Sequence, residues 1–344
     1  IPIRIYIIKL FISKYMKYLV IGCCGFIGSH LTEKLLKNKN NQVIGVDNLS
    51  SGTIKNIAGF IKNKNFKFLK EDLNNKNLIN KLKNIDCVFH LAALSDIIPS
   101  VSDPKTYFKS NVEATLNLLE IMKINFIPKI IYAASSSCYG LPKKYPTDEN
   151  ANIDTRYPYA FTKYIAEKTI IHWSEVYNLK AISLRLFNVY GPRVRTVGHY
   201  GAVFGVFLAQ LANNYPITIV GNGRQKRDFT FVSDVVEAFI LSSKKKVKKN
   251  EIINIGCGKP ISINNLVKIL KPNKIRYIPK RPGEPEMTFA SIKKAKKILG
   301  WGPKVSFQEG IKFMVQDLKN WKKAPLWTSK KIRVATKEWF RFIR

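Results

Sequence analysis

The sequence predicts an α/β protein built on a doubly wound parallel sheet, with a smaller, discontinuous second domain. Short apolar runs, typical of parallel strands buried on both faces, alternate with helix-periodic segments as far as residue 189. The first run, "KYLVIG" (17–22), leads directly into the glycine-punctuated turn "GCCGFIG" and a helix. Beyond residue 190 this alternation loosens into irregular stretches. Strands that alternate with helices imply right-handed crossovers within one parallel sheet.

The remaining elements follow along the chain in the same order of strand and helix. A second strand, "QVIGVD" (42–47), ends in an acid, and a third lies near "FKFLKED". Later strands are predicted over 87–93, 129–136, 181–189 and 251–256, and helices near 77–83 and over 105–124 and 159–178. The division into domains that follows is 16–189 with 229–262, and 190–228 with 263–344.

The first fifteen residues are predicted to be an N-terminal extension. The segment 1–15 is apolar but interrupted by Arg4, Lys9 and Lys14, so it is too short and too charged to span a bilayer. Our hypothesis is that Met16 is the natural start of the protein. The alternative is a basic tail that lies on a membrane surface.

Composition excludes several classes of function. The net charge of +35 would favour anionic ligands, but the lysines are scattered along the chain of 344 residues and form no zinc-finger, basic-helix or RNA-binding signature. Specific nucleic-acid binding is therefore not expected. The five cysteines form no C-x-x-C pair, which indicates a reducing, cytoplasmic location. The four histidines are dispersed, so no metal site is expected.

The glycine turn predicts a dinucleotide site of the Rossmann type. Gly22, Gly25 and Gly28 stand between a strand and a helix, where they permit close approach of a pyrophosphate to the positive end of the helix dipole. Asp47 ends the next strand, where an acid binds the ribose hydroxyls and repels a 2′-phosphate, which favours NAD over NADP. The neighbouring residues assigned to the cofactor are Phe26, Ile27 and Asn48.

A tyrosine and a lysine one helical turn apart predict a general base. In "YPYAFTK" (157–163), Tyr159 and Lys163 fall on the same face of a helix. An ammonium group beside a phenol stabilises the phenolate and lowers the phenol pKa. The alternative is a surface Tyr–Lys pair without a catalytic role, since Y-x-x-x-K is a common pattern.

With these motifs in order, the chain resembles the extended short-chain dehydrogenase/reductase family over roughly residues 16–320. Within that family it is most similar to nucleotide-sugar epimerases and dehydratases, especially UDP-hexose 4-epimerases. The motifs that carry the resemblance are "VDNLSSG" (46–52), "VFHLAA" (88–93), "NVEATLNLLE" (111–120), "SSSCYG" (135–140), "PYAFTK" (158–163), "LRLFNVYGPR" (184–193), "RDFTFVSDVVEA" (227–238) and "NIGCGKPISI" (254–263).

The resemblance implies a role for each matching residue. The residues implied to contact the adenine or the cofactor surface are Asp72, Leu73, Leu91, Ala92, Ala93 and Asn111. Ser135 is implied to be the catalytic hydroxyl beside Tyr159 and Lys163. The residues implied to hold the nucleotide sugar are Ser136, Ser137, Asn188, Arg227, Arg281 and Thr288, with both arginines facing the diphosphate. The segment 195–210 is expected to line the nucleotide and sugar.

The implied reaction is NAD-dependent 4-epimerisation. Tyr159 would take the proton of a sugar hydroxyl while hydride passes to the nicotinamide, and Ser135 would hydrogen-bond the oxygen as it becomes a ketone. The keto sugar would then turn over and take the hydride back on its other face. UDP-glucose and UDP-galactose are the expected substrates, and small Thr288 implies tolerance of UDP-N-acetylhexosamines.

Other activities remain as alternatives. Family 4,6-dehydratases place an Asp–Glu pair after the catalytic hydroxyl and uronate decarboxylases keep a glutamate there, whereas this chain has Ser136 and Ser137. Epimerisation or decarboxylation of UDP-uronates is a further alternative. An alternative from another class is a non-catalytic NAD sensor, although such proteins typically lose the Tyr–Lys pair.

Two further expectations concern surfaces. Helices 105–124 and 159–178 carry the faces by which family members pair, so the resemblance implies a homodimer. The tail 323–344 extends past the motifs, and its aromatic spacing predicts a helix packed on the second domain. A helix that docks a partner is the alternative.

Overall fold

A computed structural model describes residues 15–194, 203–316 and 318–343. Of the predicted extension 1–15 only Tyr15 is described, and of the predicted lining segment 195–210 the first part, 195–202, lies outside the described residues. The strands in chain order are β1 (Met16–Ile21), β2 (Asn41–Asp47), β3 (Phe66–Lys70), β4 (Cys87–His90), β5 (Lys129–Ser135), β6 (Lys180–Leu186), β7 (Val189–Tyr190), β8 (Ile217–Val220), β9 (Lys226–Arg227), β10 (Thr230–Phe231), β11 (Glu251–Ile255), β12 (Ile261–Ser262) and β13 (Ile275–Ile278).

The helices connect these strands. The α-helices are α1 (Phe26–Leu36), α2 (Ile97–Ser102), α3 (Pro104–Phe108), α4 (Ala114–Ile124), α5 (Pro158–Val176), α6 (Val203–Ala212), α7 (Val232–Lys244), α8 (Ile263–Leu270), α9 (Lys293–Leu299), α10 (Phe307–Gln316), α11 (Leu318–Trp321), α12 (Ser329–Ala335) and α13 (Lys337–Phe342). Short 3₁₀ turns span Ile54–Ile57, Lys76–Lys81 and Ser136–Tyr139, and a π-helical turn spans Lys109–Glu113. No helix among the described residues is long and apolar enough to cross a membrane.

The main sheet confirms the predicted doubly wound fold. Across the described part of the chain, seven parallel strands lie in the order β11-β6-β5-β4-β1-β2-β3. Because β1 pairs with β2 on one side and β4 on the other, the strand order reverses at β1. Ligands of such sheets bind in the crevice at that reversal, beyond the carboxyl ends of the strands.

Strand β1 shows why the sheet is covered on both faces. Its side chains alternate between two cores, with Tyr18 and Val20 in one and Leu19 and Ile21 in the other. A strand whose neighbours bury both faces needs apolar residues at every position, which the run "YLVI" provides. The continuous apolar pattern in the sequence is therefore the direct record of a two-sided core.

The predicted helix 105–124 is confirmed, since α3, the π-helical turn and α4 follow one another without a break over residues 104–124. The side chain of Asn111 in the π-helical turn hydrogen-bonds to the backbone of Leu94. The structure corrects two other predicted elements. The predicted strand 181–189 ends at Leu186, since Asn188 has a φ of +29° and leaves the extended conformation. The segment near 77–83 is a 3₁₀ turn.

The smaller region is built from pairs of short strands. The pairs are β7 with β10, β9 with β12, and β8 with β13. Tyr190 and Phe204 stack with their ring centroids 4.7 Å apart, and Phe229 and Phe307 stack at 5.4 Å beside them. This aromatic cluster supplies the core that such short strands cannot provide by themselves.

Candidate active site

A large cleft lies over the carboxyl ends of the central strands and has a volume of about 820 Å³. Its walls come from both regions of the protein. The sequence-predicted residues that line it are Gly22, Gly25, Phe26, Ile27, Gly28, Asp47, Asn48, Asp72, Leu73, Leu91, Ala92, Ala93, Ser135, Ser136, Ser137, Tyr159, Lys163, Asn188, Arg227, Arg281 and Thr288. From the predicted segment 195–210, the described residues 203–207 also line it.

The glycine turn brings backbone close to the cleft. A Cβ added at Gly28 would lie 2.0 Å from the carbonyl oxygen of Gly22, and one at Gly22 would lie 2.7 Å from the amide nitrogen of Ala92. Gly22 also has a φ of +87°, which favours glycine. The turn opens into α1, which begins at Phe26. This cradle of bare backbone at a helix N-terminus fits a dinucleotide pyrophosphate.

Asp47 stands beside the turn, at the end of β2. Its two carboxylate oxygens accept hydrogen bonds from the backbone N–H groups of Cys24 (2.9 Å) and Leu49 (2.8 Å). Burial raises the pKa of Asp47 and these N–H donors lower it. Asn48 donates to Asp72 at 2.6 Å. The result is a row of acceptors along one edge of the cleft, suited to ribose hydroxyls.

The predicted catalytic hydroxyl and base meet at the end of β5. Ser135 is the last residue of that strand, and its Oγ accepts hydrogen bonds from the Ser137 hydroxyl (2.8 Å) and amide (3.2 Å). Burial raises the pKa of Tyr159, while a hydrogen bond with Ser135 lowers it. Ser135 and Tyr159 both line the cleft, so a hydroxyl donor and a phenol face the same space, as a proton transfer at one sugar oxygen requires.

Lys163 is predicted to stabilise the Tyr159 phenolate, but its ammonium group packs over the ring of Tyr132. Its side chain is only 3% exposed, and its ammonium lies 4.2 Å from the centroid of the Tyr132 ring. Burial lowers the pKa of Lys163 to about 7, and the charge of Glu167 opposes that shift. The expected lowering of the Tyr159 pKa is thus not produced by the protein groups alone, because desolvation outweighs them.

A buried network behind Lys163 escaped the sequence analysis. Arg185 forms a two-pronged ion pair with Glu167, at 2.6 and 3.1 Å, and donates to the hydroxyl of Tyr139 at 2.9 Å. Tyr139 in turn donates to Asn254 at 2.7 Å and lines the cleft. The available signal was an arginine within the otherwise apolar β6, since a buried cation demands a buried partner.

The opposite wall carries the two predicted arginines and a carboxylate that the sequence analysis missed. Glu284 lies 2.8 Å from the Nε of Arg281 and 3.9 Å from an Nη of Arg227. Burial lowers the pKa of Arg227, and Glu284 raises it. Glu284 therefore pairs closely with Arg281 and attracts Arg227 by charge, while an Nη of Arg227 donates to the carbonyl oxygens of Lys226 and Pro285, each at 2.9 Å.

Thr288 and Asn188 form the wall nearby. The hydroxyl of Thr288 donates to the side-chain oxygen of Asn188 at 2.7 Å and accepts from the amide of Asp228 at 3.0 Å. Both residues are fixed by this pair, so the pocket at this point is bounded by a short, immobilised side chain.

Asn111 is the one predicted site residue that does not line the cleft among the described residues. It is 1% exposed, and its amide accepts from the N–H of Leu94 at 2.8 Å and donates to Thr162 at 3.1 Å. Asn111 therefore lies one layer behind the cleft and ties the loop after β4 to α5.

Cys23, Cys24 and Asp47 come together beneath the glycine turn, with their potential ligand atoms within 4.8 Å of one another. The hydrogen bond with Cys24 and burial raise the pKa of the Cys23 thiol, and the Asp47 oxygens already accept two backbone N–H groups. All three side chains are buried and pack beneath the turn.

Comparison with known proteins identifies the family. Residues 19–314 match the GDP-mannose 4,6 dehydratase family. The chain belongs to this family. The predicted membership of the extended short-chain dehydrogenase/reductases is thereby confirmed, as is the prediction of an enzyme of that type.

Individual relatives resemble the chain along most of its length. The UDP-glucuronate 4-epimerase of Thermodesulfobacterium geofontis is 37% identical over 332 residues, 92% of this chain and 99% of that protein. The crystal structure of UDP-glucose 4-epimerase from Thermotoga maritima with UDP-glucose is 35% identical, with a TM-score of 0.82 over 89% of this chain and 99% of that one. The structure of UDP-glucuronic acid 4-epimerase from Bacillus cereus with UDP-glucuronic acid and NAD is 33% identical, with a TM-score of 0.83 over the same shares.

Proposed function

We propose that the protein is an NAD-dependent nucleotide-sugar 4-epimerase that interconverts UDP-glucose and UDP-galactose and tolerates UDP-N-acetylhexosamines. One observation carries the proposal: Ser135 and Tyr159 meet inside the same cleft that holds the glycine turn at one end and the arginine pair at the other. A site that binds a dinucleotide beside a diphosphate, with a phenol between them, fits reversible oxidation of a glycosyl nucleotide. The relatives' activities and the NAD of the Bacillus cereus structure support the same reaction class.

The dinucleotide half of the cleft would hold NAD. Gly22, Gly25 and Gly28 would admit the pyrophosphate to backbone N–H groups, and Asp47 would accept from the adenosine ribose. When bound, NAD supplies reversible oxidation of the sugar C4 alcohol. The carboxylate of Asp47 disfavours the 2′-phosphate of NADP by charge repulsion.

The protein's own part in the chemistry centres on Tyr159. Its phenol oxygen would take the proton of the C4 hydroxyl, and Ser135, which lines the same cleft, would donate to the sugar oxygen as its charge changes. Burial raises the pKa of Tyr159, so the phenolate must be stabilised by cationic groups when the cleft is filled. Lys163, which lies one helical turn after Tyr159 on α5 and has a pKa of about 7, would supply such a charge when protonated.

The arginine wall would bind the diphosphate. Arg227 and Arg281 both line the cleft, and each presents a planar fork of donors that matches phosphate oxygens. Glu284, placed between them, would keep the two cations close enough to share one diphosphate.

The family is described by a dehydratase, but the residues of this site favour epimerisation over dehydration. Dehydration at C5 and C6 needs a carboxylic acid and base after the C4 oxidation, whereas Ser136 and Ser137 occupy the turn that follows Ser135. Hydroxyl groups are poor proton acceptors at neutral pH, so the site favours epimerisation, which needs no further acid or base.

The protein is further proposed to act as a homodimer. Helices α3, α4 and α5 leave apolar side chains partly exposed, among them Phe108 (41%), Leu116 (37%) and Phe161 (45%). Burial of these side chains against a second copy would remove apolar area from water. Sedimentation equilibrium gives the test, and a protein that stays monomeric at micromolar concentration overturns this part.

The experiment for the activity is product analysis by NMR across UDP-, CDP- and dTDP-sugars with catalytic NAD. We expect the C4 epimers of UDP-glucose and UDP-N-acetylglucosamine, with no net reduction of NAD. Epimerisation of UDP-glucuronate alone would move the substrate to uronates. Formation of a 4-keto-6-deoxy sugar or a pentose would contradict epimerisation, and no turnover of any sugar despite NAD binding would favour a sensor.

A further inference from the structure

The C-terminal segment 324–343 reaches the cleft although the family match ends at residue 314. It consists of an extended stretch followed by the short helices α12 and α13. Pro325, Trp327 and Trp339 from this segment line the cleft. Part of the cleft wall therefore comes from a segment that follows the matched region.

The extended stretch is fixed to the smaller region. Gln210 of α6 is fully buried, and its Nε2 donates to the carbonyl oxygen of Trp327 at 2.7 Å and to the hydroxyl of Thr218 at 3.0 Å. Thr218 lies in β8 and itself lines the cleft. One buried amide therefore ties the tail to the wall beside it.

The end of the segment is fixed on the other side. Trp339 is fully buried, its indole N–H donates to the carbonyl oxygen of Pro282 at 2.9 Å, and its ring centroid lies 5.3 Å from that of Tyr157. Pro282 directly follows Arg281, and Tyr157 comes two residues before Tyr159. Helix α13 also packs on α2, which follows the cleft loop after β4. The tail is thus a strap from the smaller region to the sheet region.

The contacts of Trp339 explain what the strap can do. Its hydrogen bond holds the backbone at Pro282 in one position, which restricts where the adjacent guanidinium of Arg281 can reach. Two parallel bonds from an arginine to a phosphate demand accurate placement, and small displacements weaken them. The ring of Trp339 also packs against the ring of Tyr157, the residue that precedes α5.

We propose that Trp339 is a positioning residue for the nucleotide sugar, and that the strap 324–343 forms the substrate wall by holding the loop of Arg281. This rests on the proposed function, in which Arg281 faces the diphosphate. Trp339 bonds to the backbone beside Arg281, whereas the glycine turn and Asp47 follow the sheet strands β1 and β2, so we expect the strap to act on the UDP moiety more than on NAD.

Calorimetric titration of the full-length protein with UDP, and separately with NAD, tests the proposal. We expect Trp339→Ala to raise the Kd for UDP by about tenfold or more, as for loss of one buried hydrogen bond with its packing, with the Kd for NAD unchanged. Trp339→Phe keeps the ring contact with Tyr157 and should recover part of the affinity. Phe340→Ala is the matched control, because Phe340 lies on the same helix and is 47% exposed.

The outcomes separate this inference from the proposed function. Unchanged UDP affinity in Trp339→Ala overturns the positioning role, whatever sugar is turned over. Normal UDP and NAD binding without epimerisation overturns the function but not the strap. If Trp339→Ala fails to fold, hydrogen exchange on the unaltered protein provides a second test. Binding of UDP should slow exchange of the backbone amides in α13, and unchanged exchange there also overturns the proposal.

Discussion

The two halves of the cleft are built by different means. The half proposed to bind the dinucleotide (the dinucleotide half) consists of strand ends and a glycine turn, where backbone atoms approach within distances that no side chain could share. The half proposed to bind the sugar nucleotide (the substrate half) contains the long side chains of Arg227, Arg281 and Glu284, which lie close to one another, and Trp339 of the strap bonds to the backbone beside Arg281. One half is fixed by the sheet, and the other by side-chain contacts between distant segments.

This difference predicts how strongly a substitution in each half should affect ligand binding. In the dinucleotide half, adding a single methyl group should be costly because its neighbours are backbone atoms that cannot rotate away. In the substrate half, single changes should alter affinity or preference by smaller factors, since neighbouring side chains can adjust. The following predictions test that contrast.

The largest effect is expected at the junction of the halves. Tyr159→Phe removes the proton acceptor and should lower kcat by about 10²- to 10⁴-fold, while the Kd values for NAD and UDP stay within about twofold. Steady-state kinetics and calorimetry measure both. Tyr164→Phe, on the same helix but outside the cleft lining, is the control. A Tyr159→Phe variant with more than a tenth of the normal kcat would remove Tyr159 from the mechanism.

The glycine turn should give the next largest effect. In Gly28→Ala the new Cβ would lie 2.0 Å from the carbonyl oxygen of Gly22, so the turn must shift, and the Kd for NAD should rise by roughly a hundredfold. Gly59→Ala is the matched control, because a Cβ there meets nothing within 4 Å. If both variants bind NAD alike, the turn is not the pyrophosphate site.

An arginine change tests the substrate half. Arg281→Ala should raise the Kd for UDP by roughly 10- to 100-fold, the range for a hydrogen bond to a charged group, with NAD binding unaffected. Arg276→Ala, an exposed arginine on β13, corrects for the loss of one positive charge. Equal effects of the two variants would mean that only the general positive field attracts UDP.

A pocket-wall change should alter preference more than rate. Thr288→Tyr places a ring beside Asn188 and should lower kcat/KM for UDP-N-acetylglucosamine relative to UDP-glucose by about tenfold. Thr288→Ser is the conservative control. An unchanged ratio in the tyrosine variant would count against this wall as the N-acetyl discriminator.

The smallest effect concerns stability. Folding lowers the pKa of Lys163 from its ordinary 10.5 to about 7, so folding releases a proton at pH values between these two, and the stability contributed by this group rises with pH across that window. Below pH 7 the buried charge is fully destabilising. Lys163→Met should therefore raise the free energy of unfolding at pH 6, and raise it by less at pH 9.

Urea denaturation at the two pH values measures this change. Lys168→Met, an exposed lysine on the same helix, should leave the unfolding free energy unchanged at both. A Lys163→Met variant that is less stable at pH 6 would mean that the contact with Tyr132 outweighs the burial of the charge.

Much of the dinucleotide half could be predicted because its determinants are local. The apolar run of β1, the spacing of Gly22, Gly25 and Gly28, and the acid that ends β2 are neighbours in sequence, and each is demanded by backbone geometry. The predicted strand boundary failed at Asn188, where a positive φ ends the extended conformation. The side chain of Asn188 accepts a hydrogen bond from Thr288, a partner far along the chain.

The sequence by itself determined the parallel sheet with its alternating helices and the glycine turn after β1, because periodicity and glycine placement act over a few residues. Only the tertiary structure decided that Lys163 rests on Tyr132, that Glu284 joins Arg227 to Arg281, and that Trp339 reaches Pro282. These contacts join segments with no shared local pattern. Their energies come from burial and charge pairing, which exist only once the chain has folded.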